Sequence, residues 1–279
     1  VLWLLLEFKS SRSDGTVVKD LHPYRRIMQY VMPTRSESVV YFDVTAHADN
    51  LLSFLAEKKE NDISLLHVLV AAMGITLEKN KKMNRFVSGR RVYDRKERCI
   101  TFSAKRKKLD AKSKLAMVQM NMPANENFSD LVTRINSKLN VERSDAKTYA
   151  DKEYDFFNLL PRPVLVCAVQ LLRCLDYYNI LPASFIRDDA LYTSAVITNL
   201  GSLKMAPAYH HLYEWGNCPL FLMVGQVEER VVAENGEVGV QKVLPMRVAF
   251  DERIEDGLTA KNGIENFVEI IESPEAHLG

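Results

Sequence analysis

Residues 64–79, "SLLHVLVAAMGITLEK", constrain the fold more than any other stretch of the chain. Ser64 is a helix-opening residue. The positions after it (Leu65, Leu66, Val68, Leu69, Val70, Ala71, Ala72, Ile75) are apolar on most sides of a helical repeat rather than along one stripe. A helix without a wet face has to be surrounded, so the chain must supply a core thick enough to bury it. With 279 residues, 47% of them apolar and 26% charged, one large domain can do so.

The remaining elements read as follows. Pro23 suits the first turn of a helix whose apolar stripe is Ile27, Met28, Val31 and Met32, and Pro33 ends it. Residues 39–44 are β-branched and aromatic, hence a strand. Asp49 opens a helix to about residue 59, with Leu51, Leu52 and Leu55 on one face. Strands are expected within 86–122. Helices should run from about Ser129 and over 151–160, the latter punctuated by Pro161 and Pro163. Residues 164–181, "VLVCAVQLLRCLDYYNIL", read as a continuous apolar helix, facing a core or another subunit. Gln170, Arg173 and Asp176 make it too polar for an isolated membrane span. Strands return over 191–200, 220–227 and 243–250, with a hairpin turn at Asn235-Gly236. A last helix starts near Thr259 and carries Ile264, Phe267, Val268 and Ile271. Strands and helices in blocks, without strict alternation, give a mixed α/β chain, and neither a dinucleotide-binding glycine motif nor a P-loop occurs.

Several function classes are disfavoured by the same residues. A net charge of +1 argues against nucleic-acid binding through bulk charge. Cys99, Cys167, Cys174 and Cys218 lack CxxC spacing and paired histidines, which argues against zinc and suits a reducing cytoplasm. The opening "VLWLLLEFKSSRSDG" is too short and too interrupted for a membrane span, and reads as a first strand or a terminal segment. The chain begins on Val1 rather than Met, which leaves room for an upstream start. Residues 85–114 hold twelve Lys/Arg against three Asp/Glu. They are either a solvated hairpin or a face for a polyanion such as the nucleotide end of coenzyme A.

Near the C-terminus, the strand Val248-Ala249-Phe250 runs into Asp251-Glu252-Arg253-Ile254-Glu255-Asp256-Gly257. This resembles the Asp-His-Arg-x-x-x-Asp-Gly signature of the catalytic acyltransferase domain of 2-oxo-acid dehydrogenase complexes, whose fold chloramphenicol acetyltransferase shares. Val196-Ile197-Thr198-Asn199-Leu200-Gly201 is similar to the family's strand ending in Ser-Asn-Leu-Gly. Asn217-Cys218-Pro219 through Val224-Gly225 is similar to its next strand. Arg25-Arg26-Ile27, Tyr41-Phe42-Asp43-Val44, the helix over 50–59 and the buried helix over 63–78 match the domain's entry, in order. The resemblance covers most of the chain from about residue 20. It implies a two-layer α/β (α+β) chloramphenicol acetyltransferase-like, CoA-dependent acyltransferase fold, a mixed sheet packed by helices. Residues 1–20 are expected to be an N-terminal extension and 21–279 the acyltransferase-like domain.

The resemblance also implies chemistry. The family's signature His takes a proton from the thiol of coenzyme A or dihydrolipoamide, and a hydroxyl on the Ser-Asn-Leu-Gly strand holds the oxyanion. Thr198 supplies that hydroxyl here. Asp256 is the residue the family holds in a structural ion pair, and Gly257 gives the tight turn. Glu252, however, stands where the His should be. Taking a proton from a thiol near pKa 8.5, a carboxylate near 4.3 is worse than an imidazole near 6.5 by about 3 kcal/mol, or about two orders of magnitude in rate. Burial of Glu252, or a like charge at Glu255, would recover part of this. The bland reading is a structural carboxylate paired with Arg253 or with a basic residue of another subunit. His210 and His211 sit in a loop and read as surface residues, with reach toward a site only across a subunit interface. His22, His47, His67 and His277 suggest no site.

Two readings follow. In the first the chain is a homo-oligomeric core resembling the acyltransferase component, trimer-based and open to assembly into a cage, with acyl transfer impaired or lost at Glu252. Its partners would then be other copies of itself and components of a dehydrogenase complex. In the second it is an active CoA-dependent acyltransferase with Glu252 as base and Thr198 as oxyanion stabiliser. Coenzyme A is the expected cofactor if the chain is active. No metal, membrane or nucleic-acid partner is expected, and no lipoyl domain is read in these residues.

Overall fold

A computed structural model describes residues 12–59, 62–105, 115–143, 157–234 and 236–279. The first elements are β1 (Gly15–Val17), α1 (Pro23–Val31), the single turn α2 (Arg35–Ser38), β2 (Val39–His47), α3 (Asp49–Glu57) and α4 (Leu65–Lys79). Strands β3 (Arg85–Ser88), β4 (Arg91–Arg95), β5 (Cys99–Lys105) and β6 (Leu115–Asn121) follow. Next come α5 (Phe128–Arg143), α6 (Arg162–Tyr177), α7 (Ala183–Asp188), β7 (Ala195–Asn199) and β8 (Leu220–Val224). The chain ends with β9 (Glu228–Glu234), β10 (Glu237–Asp251), α8 (Gly257–Glu272) and α9 (Pro274–Leu278). The helix expected over 151–160 and the segment 1–11 lie largely or wholly outside the described residues.

The main sheet runs β2-β10-β8-β7-β5-β6, with β9 added as a hairpin partner of β10. β7 is parallel to both β5 and β8, and the other pairings are antiparallel. Alternation along the strands gives this sheet two faces. One carries Phe102, Ile197, Leu222, Met246 and Phe250 into the principal core, against Leu51, Leu69, Ile135 and Ile270 of α3, α4, α5 and α8. The other carries Val196, Phe221, Met223 and Ala249, over which Leu212 of the β7–β8 connection folds. Helix α4 sits in the first layer with ten buried residues out of fifteen, as its apolar surround requires.

A smaller sheet, β1-β4-β3, stands apart. Its β1 was not foreseen, because three residues show no alternation. The described part of the expected N-terminal extension is stitched into the body: Gly15 pairs with Arg95, and the buried Arg12 guanidinium reaches Asp14 at 2.6 Å and Asp176 at 2.8 Å.

Helix α1 leaves Ile27 and Val31 of its apolar stripe exposed and buries Gln29, whose amide donates to the Arg253 carbonyl at 3.2 Å. Pro163 lies in the first turn of α6, where a missing N–H costs nothing. No residue of α6 is fully buried, and its partly buried Leu172 and Leu175 pack on the small cluster of Leu181, Ile186 and Tyr192. No helix among the described residues is long and apolar enough to cross a membrane.

Candidate functional site

The signature turn begins where β10 ends. Asp251 is fully buried, and its carboxylate accepts Arg253 Nε and Nη2, each at 2.8 Å, and Ser38 Oγ at 2.9 Å. Arg253 also donates Nη1 to the Met32 carbonyl at 3.1 Å. A buried pair whose lone pairs and protons are met in this way specifies a geometry more than it adds stability. It ties the turn to α1 and α2. Glu255 is the second anchor, within 2.8 Å of Arg85, 3.4 Å of Lys82 and 3.6 Å of Arg25.

With Asp251, Arg253, Ile254 and Glu255 turned inward, Glu252 points out. Only its backbone is engaged: the N–H donates to Ser38 at 3.1 Å and the carbonyl accepts Arg25 Nη1 at 2.9 Å. Its carboxylate is exposed and has no partner among the described residues. The expected Glu252–Arg253 pair is therefore not formed, since Asp251 holds the guanidinium. Neither is Glu252 buried within one chain, and Glu255 is held by Arg25, Lys82 and Arg85.

Asp256 differs from expectation as well. Its side chain caps α8, accepting the Thr259 N–H at 3.0 Å, and that bond holds its carboxyl below the usual carboxylate range. The ion pair the resemblance implied for Asp256 falls one residue earlier, on Glu255. Gly257 opens α8 with an ordinary φ, and a Cβ there would meet nothing within 4 Å, so the turn does not depend on glycine at this position. At Gly201 it does: a Cβ would lie 2.3 Å from the Gly225 carbonyl oxygen, so the ends of the β7 and β8 motifs can touch only through bare backbone.

Thr198 sits near the end of β7, half-buried. Ser103 Oγ on β5 donates to its Oγ1 at 3.1 Å, which leaves the threonine's own hydroxyl hydrogen free for another acceptor. The strand register fixes its relation to Glu252. Thr198 opposes Met223, and Met223 opposes Arg247, four residues before Asp251. Two strand spacings across and four residues along put Thr198 and Asp251 about 16 Å apart at Cα. Glu252 and Thr198 thus occupy opposite ends of the sheet and do not meet within one chain.

His210 is more integrated than a surface loop residue. It is half-buried and stacks on Phe221, ring centroids 4.1 Å apart and 18° from parallel. Sequence spacing carried no signal for this, because the contact spans a loop and a strand. The basic stretch is largely committed to structure: Arg85 pairs with Asp94 and Glu255, and Arg98 pairs with Glu78. Arg95 is buried against the Phe86 ring and donates to Asn217 Oδ1 at 2.9 Å. Residues 106–114 of that stretch lie outside the described residues.

Burial pushes the thiols of Cys99 and Cys218 up to about 11, which makes neither a nucleophile near neutral pH. Among the described residues no group of three His, Cys, Asp or Glu could hold a metal. A cavity of about 630 Å³ opens beside the signature turn, lined by Arg35, Gly89, Arg173, Tyr177, Trp215 and Arg253 among others.

Comparison with known proteins bears out the resemblance. Residues 187–278, which contain Thr198, Glu252 and Asp256, match the family of 2-oxoacid dehydrogenases acyltransferase (catalytic domain). No curated protein matches the chain in sequence. Among solved structures, an Azotobacter vinelandii dihydrolipoamide acetyltransferase superposes with a TM-score of 0.61 at 16% identity, covering 94% of this chain and 95% of that one. The cubic core of a pyruvate dehydrogenase multienzyme complex gives 0.58 at 15%, covering 94% and 95%. A chloramphenicol acetyltransferase gives 0.55 at 9%, covering 92% and 99%. At such identities the likeness is one of fold, and the fold is the chloramphenicol acetyltransferase-like one, a mixed sheet packed by helices.

Proposed function

We propose that the chain is a self-associating core, built from trimers, with the architecture of the acyltransferase component of 2-oxo-acid dehydrogenase complexes, and that acyl transfer through position 252 is impaired or lost. The observation that carries self-association is α6, sixteen residues long and without a buried side chain, with Val164, Val166 and Leu171 each about half exposed or more. Tyr24, Ile27, Tyr30 and Val31 on α1, and Val231, Val238 and Val240 on the β9–β10 hairpin, add further uncovered apolar surface. An isolated soluble chain rarely shows so much, and closed homo-oligomers bury such faces. The likeness to the cubic core of a pyruvate dehydrogenase multienzyme complex supports this reading and leaves assembly of the trimers into a cage open to test. The other copies are the first partners, and components of a dehydrogenase complex are the second. Four unpaired cysteines suit a cytoplasmic setting.

The separation of Glu252 and Thr198 supports the same reading. A site using both would have to be completed by a neighbouring chain, and Glu252 carries a carboxylate where a base near neutral pKa is wanted. One observation favours the active alternative with coenzyme A as substrate: the Thr198 hydroxyl, polarised by Ser103, is set to donate to an oxyanion.

The test combines mass and rate. Light scattering should give a particle mass that is a multiple of three chains. Transfer from acetyl-CoA to dihydrolipoamide should be equally slow in wild type and Glu252→Gln, and about 100-fold faster in Glu252→His. A monomer, or a fast wild-type reaction abolished by Glu252→Gln, would overturn the proposal.

A further inference from the structure

Helix α6 carries two apolar faces, and among the described residues only one of them is covered. We propose that the other is a seam on which α6 of a second copy lies antiparallel, the two helices being related by a two-fold axis. The inference deepens the self-association read above and rests on it.

The inner face is accounted for within the chain. Leu172 and Leu175 pack on Leu181, Ile186 and Tyr192, and Leu165, Ala168 and Val169 are also half-buried. The outer seam is Val164, Cys167, Leu171 and Cys174, all of them exposed, Val164 at 49% and Leu171 at 59%. Spacings of three, four and three residues are the heptad pattern through which one helix receives another. Charge is absent from it. Arg162, Arg173 and Asp176, the charged residues of α6, lie about 140° or more around the helix from the midline of the seam. The positions that flank it, Pro163, Ala168, Gln170, Leu175 and Tyr177, are uncharged as well. A second copy therefore brings no like charges together along the contact, which is the condition an identical partner has to meet.

Direction and register follow from the same residues. Setting Val164 of one helix opposite Cys174 of an antiparallel copy sets Cys167 opposite Leu171. The remaining layers repeat these two in reverse, so the pairing closes on itself. Its centre falls at Val169, in the middle of Arg162–Tyr177. Every layer then joins one branched side chain to one small thiol, and the helices approach evenly along their length. A parallel pair would instead stack leucine on leucine and thiol on thiol, giving alternately tight and loose layers. Antiparallel packing also sets the two helix dipoles in opposition, which is the favourable arrangement. The seam is about 15 Å long. So short a contact suffices because α6 is already folded on its own chain, and no helix has to be nucleated on binding.

The experiment is disulfide mapping on the purified full chain, oxidised with diamide and read on non-reducing gels and by peptide mass. Two variants are used, Leu171→Cys with Cys174→Ser, and Val164→Cys with Cys167→Ser. All four positions are exposed, so the substitutions leave the folded chain intact. The first should give a covalent dimer linked between positions 171 and 167, and the second a dimer linked between 164 and 174. Each should form about 10-fold faster than in wild type, whose own thiols face Leu171 and Val164 and not each other. Links from 171 to 171 or from 167 to 167, or dimers formed no faster than in wild type, would overturn the proposal. Light scattering separates this from the reading it rests on. The mapped links in a particle of two chains would overturn the trimer-based core and leave the seam standing. A mass that is a multiple of three chains, without the links, would overturn the seam alone.

Discussion

Helices α4 and α6 are nearly the same length, fifteen and sixteen residues, and both are rich in apolar side chains, yet one is enclosed and the other is only partly covered, with Leu172 and Leu175 packed on Leu181, Ile186 and Tyr192. Helix α4 is dry nearly all round because sheet, α5 and α8 surround it. Helix α6 lies beyond the small sheet, its charged residues Arg162, Arg173 and Asp176 spaced among Val164, Val166 and Leu171. The contrast teaches that apolar content alone does not say where a helix will be covered. In α4 the covering is supplied by the chain itself. In α6 the chain covers only one side, and that difference is why the proposed self-association is tested there first.

The comparison can be broken at its inner end first. Leu69, fully buried in α4, should cost about 2–5 kcal/mol on truncation to Ala, read as a shift in a denaturant melt of unchanged slope. A loss below about 1 kcal/mol would mean that α4 is not the centre of the core. At the outer end, Leu171→Arg on α6 should change single-chain stability by no more than about 0.5 kcal/mol, because the side chain is exposed. Its effect should be on particle mass, which drops toward a single chain. An unaltered mass would remove α6 from the interface.

The smallest effect expected is a pH dependence, again from α4. His67 Nδ1 accepts the Ser64 N–H at 2.9 Å, so its proton lies on Nε2, 3.1 Å from Asn136 Oδ1. Burial lowers its pKa in the folded chain. The neutral form is thus favoured by folding, so this contribution is intact above the unfolded value of about 6.5 and is lost as the pH falls below it. Thermal melts from pH 7.5 to 5 should show a falling midpoint in wild type and a flatter one in His67→Gln. Equal slopes would exclude His67 as the source.

Much of the fold was legible residue by residue. The apolar surround of 64–79, the β-branched run after Val39 and the charged turn after Phe250 each express a local preference that the tertiary structure honours. Strand β1 escaped because three residues have no period. The outward-facing stripe of α1 escaped because periodicity reports amphipathicity without saying what lies opposite. The site was less legible. Glu252, Thr198 and Asp256 could be picked out, but the partners of Asp251 and Glu255 could not, because Ser38, Lys82, Arg85 and Arg25 come from elements far away in sequence. His210 carried no motif at all, and only its stack on Phe221 gives it a place.

The sequence by itself determined that this chain builds a mixed sheet layered with helices, and that its strand through Phe250 runs into the charged turn Asp251 to Asp256. Both are properties of side-chain type and order, which need no knowledge of what lies across space. Only the tertiary structure decided that Glu252 faces out, that Thr198 lies at the far end of the sheet from it, and that His210 stacks on Phe221. Those relations depend on strand register and on contacts between distant segments. Such contacts are settled by which apolar faces the folded chain can close on one another.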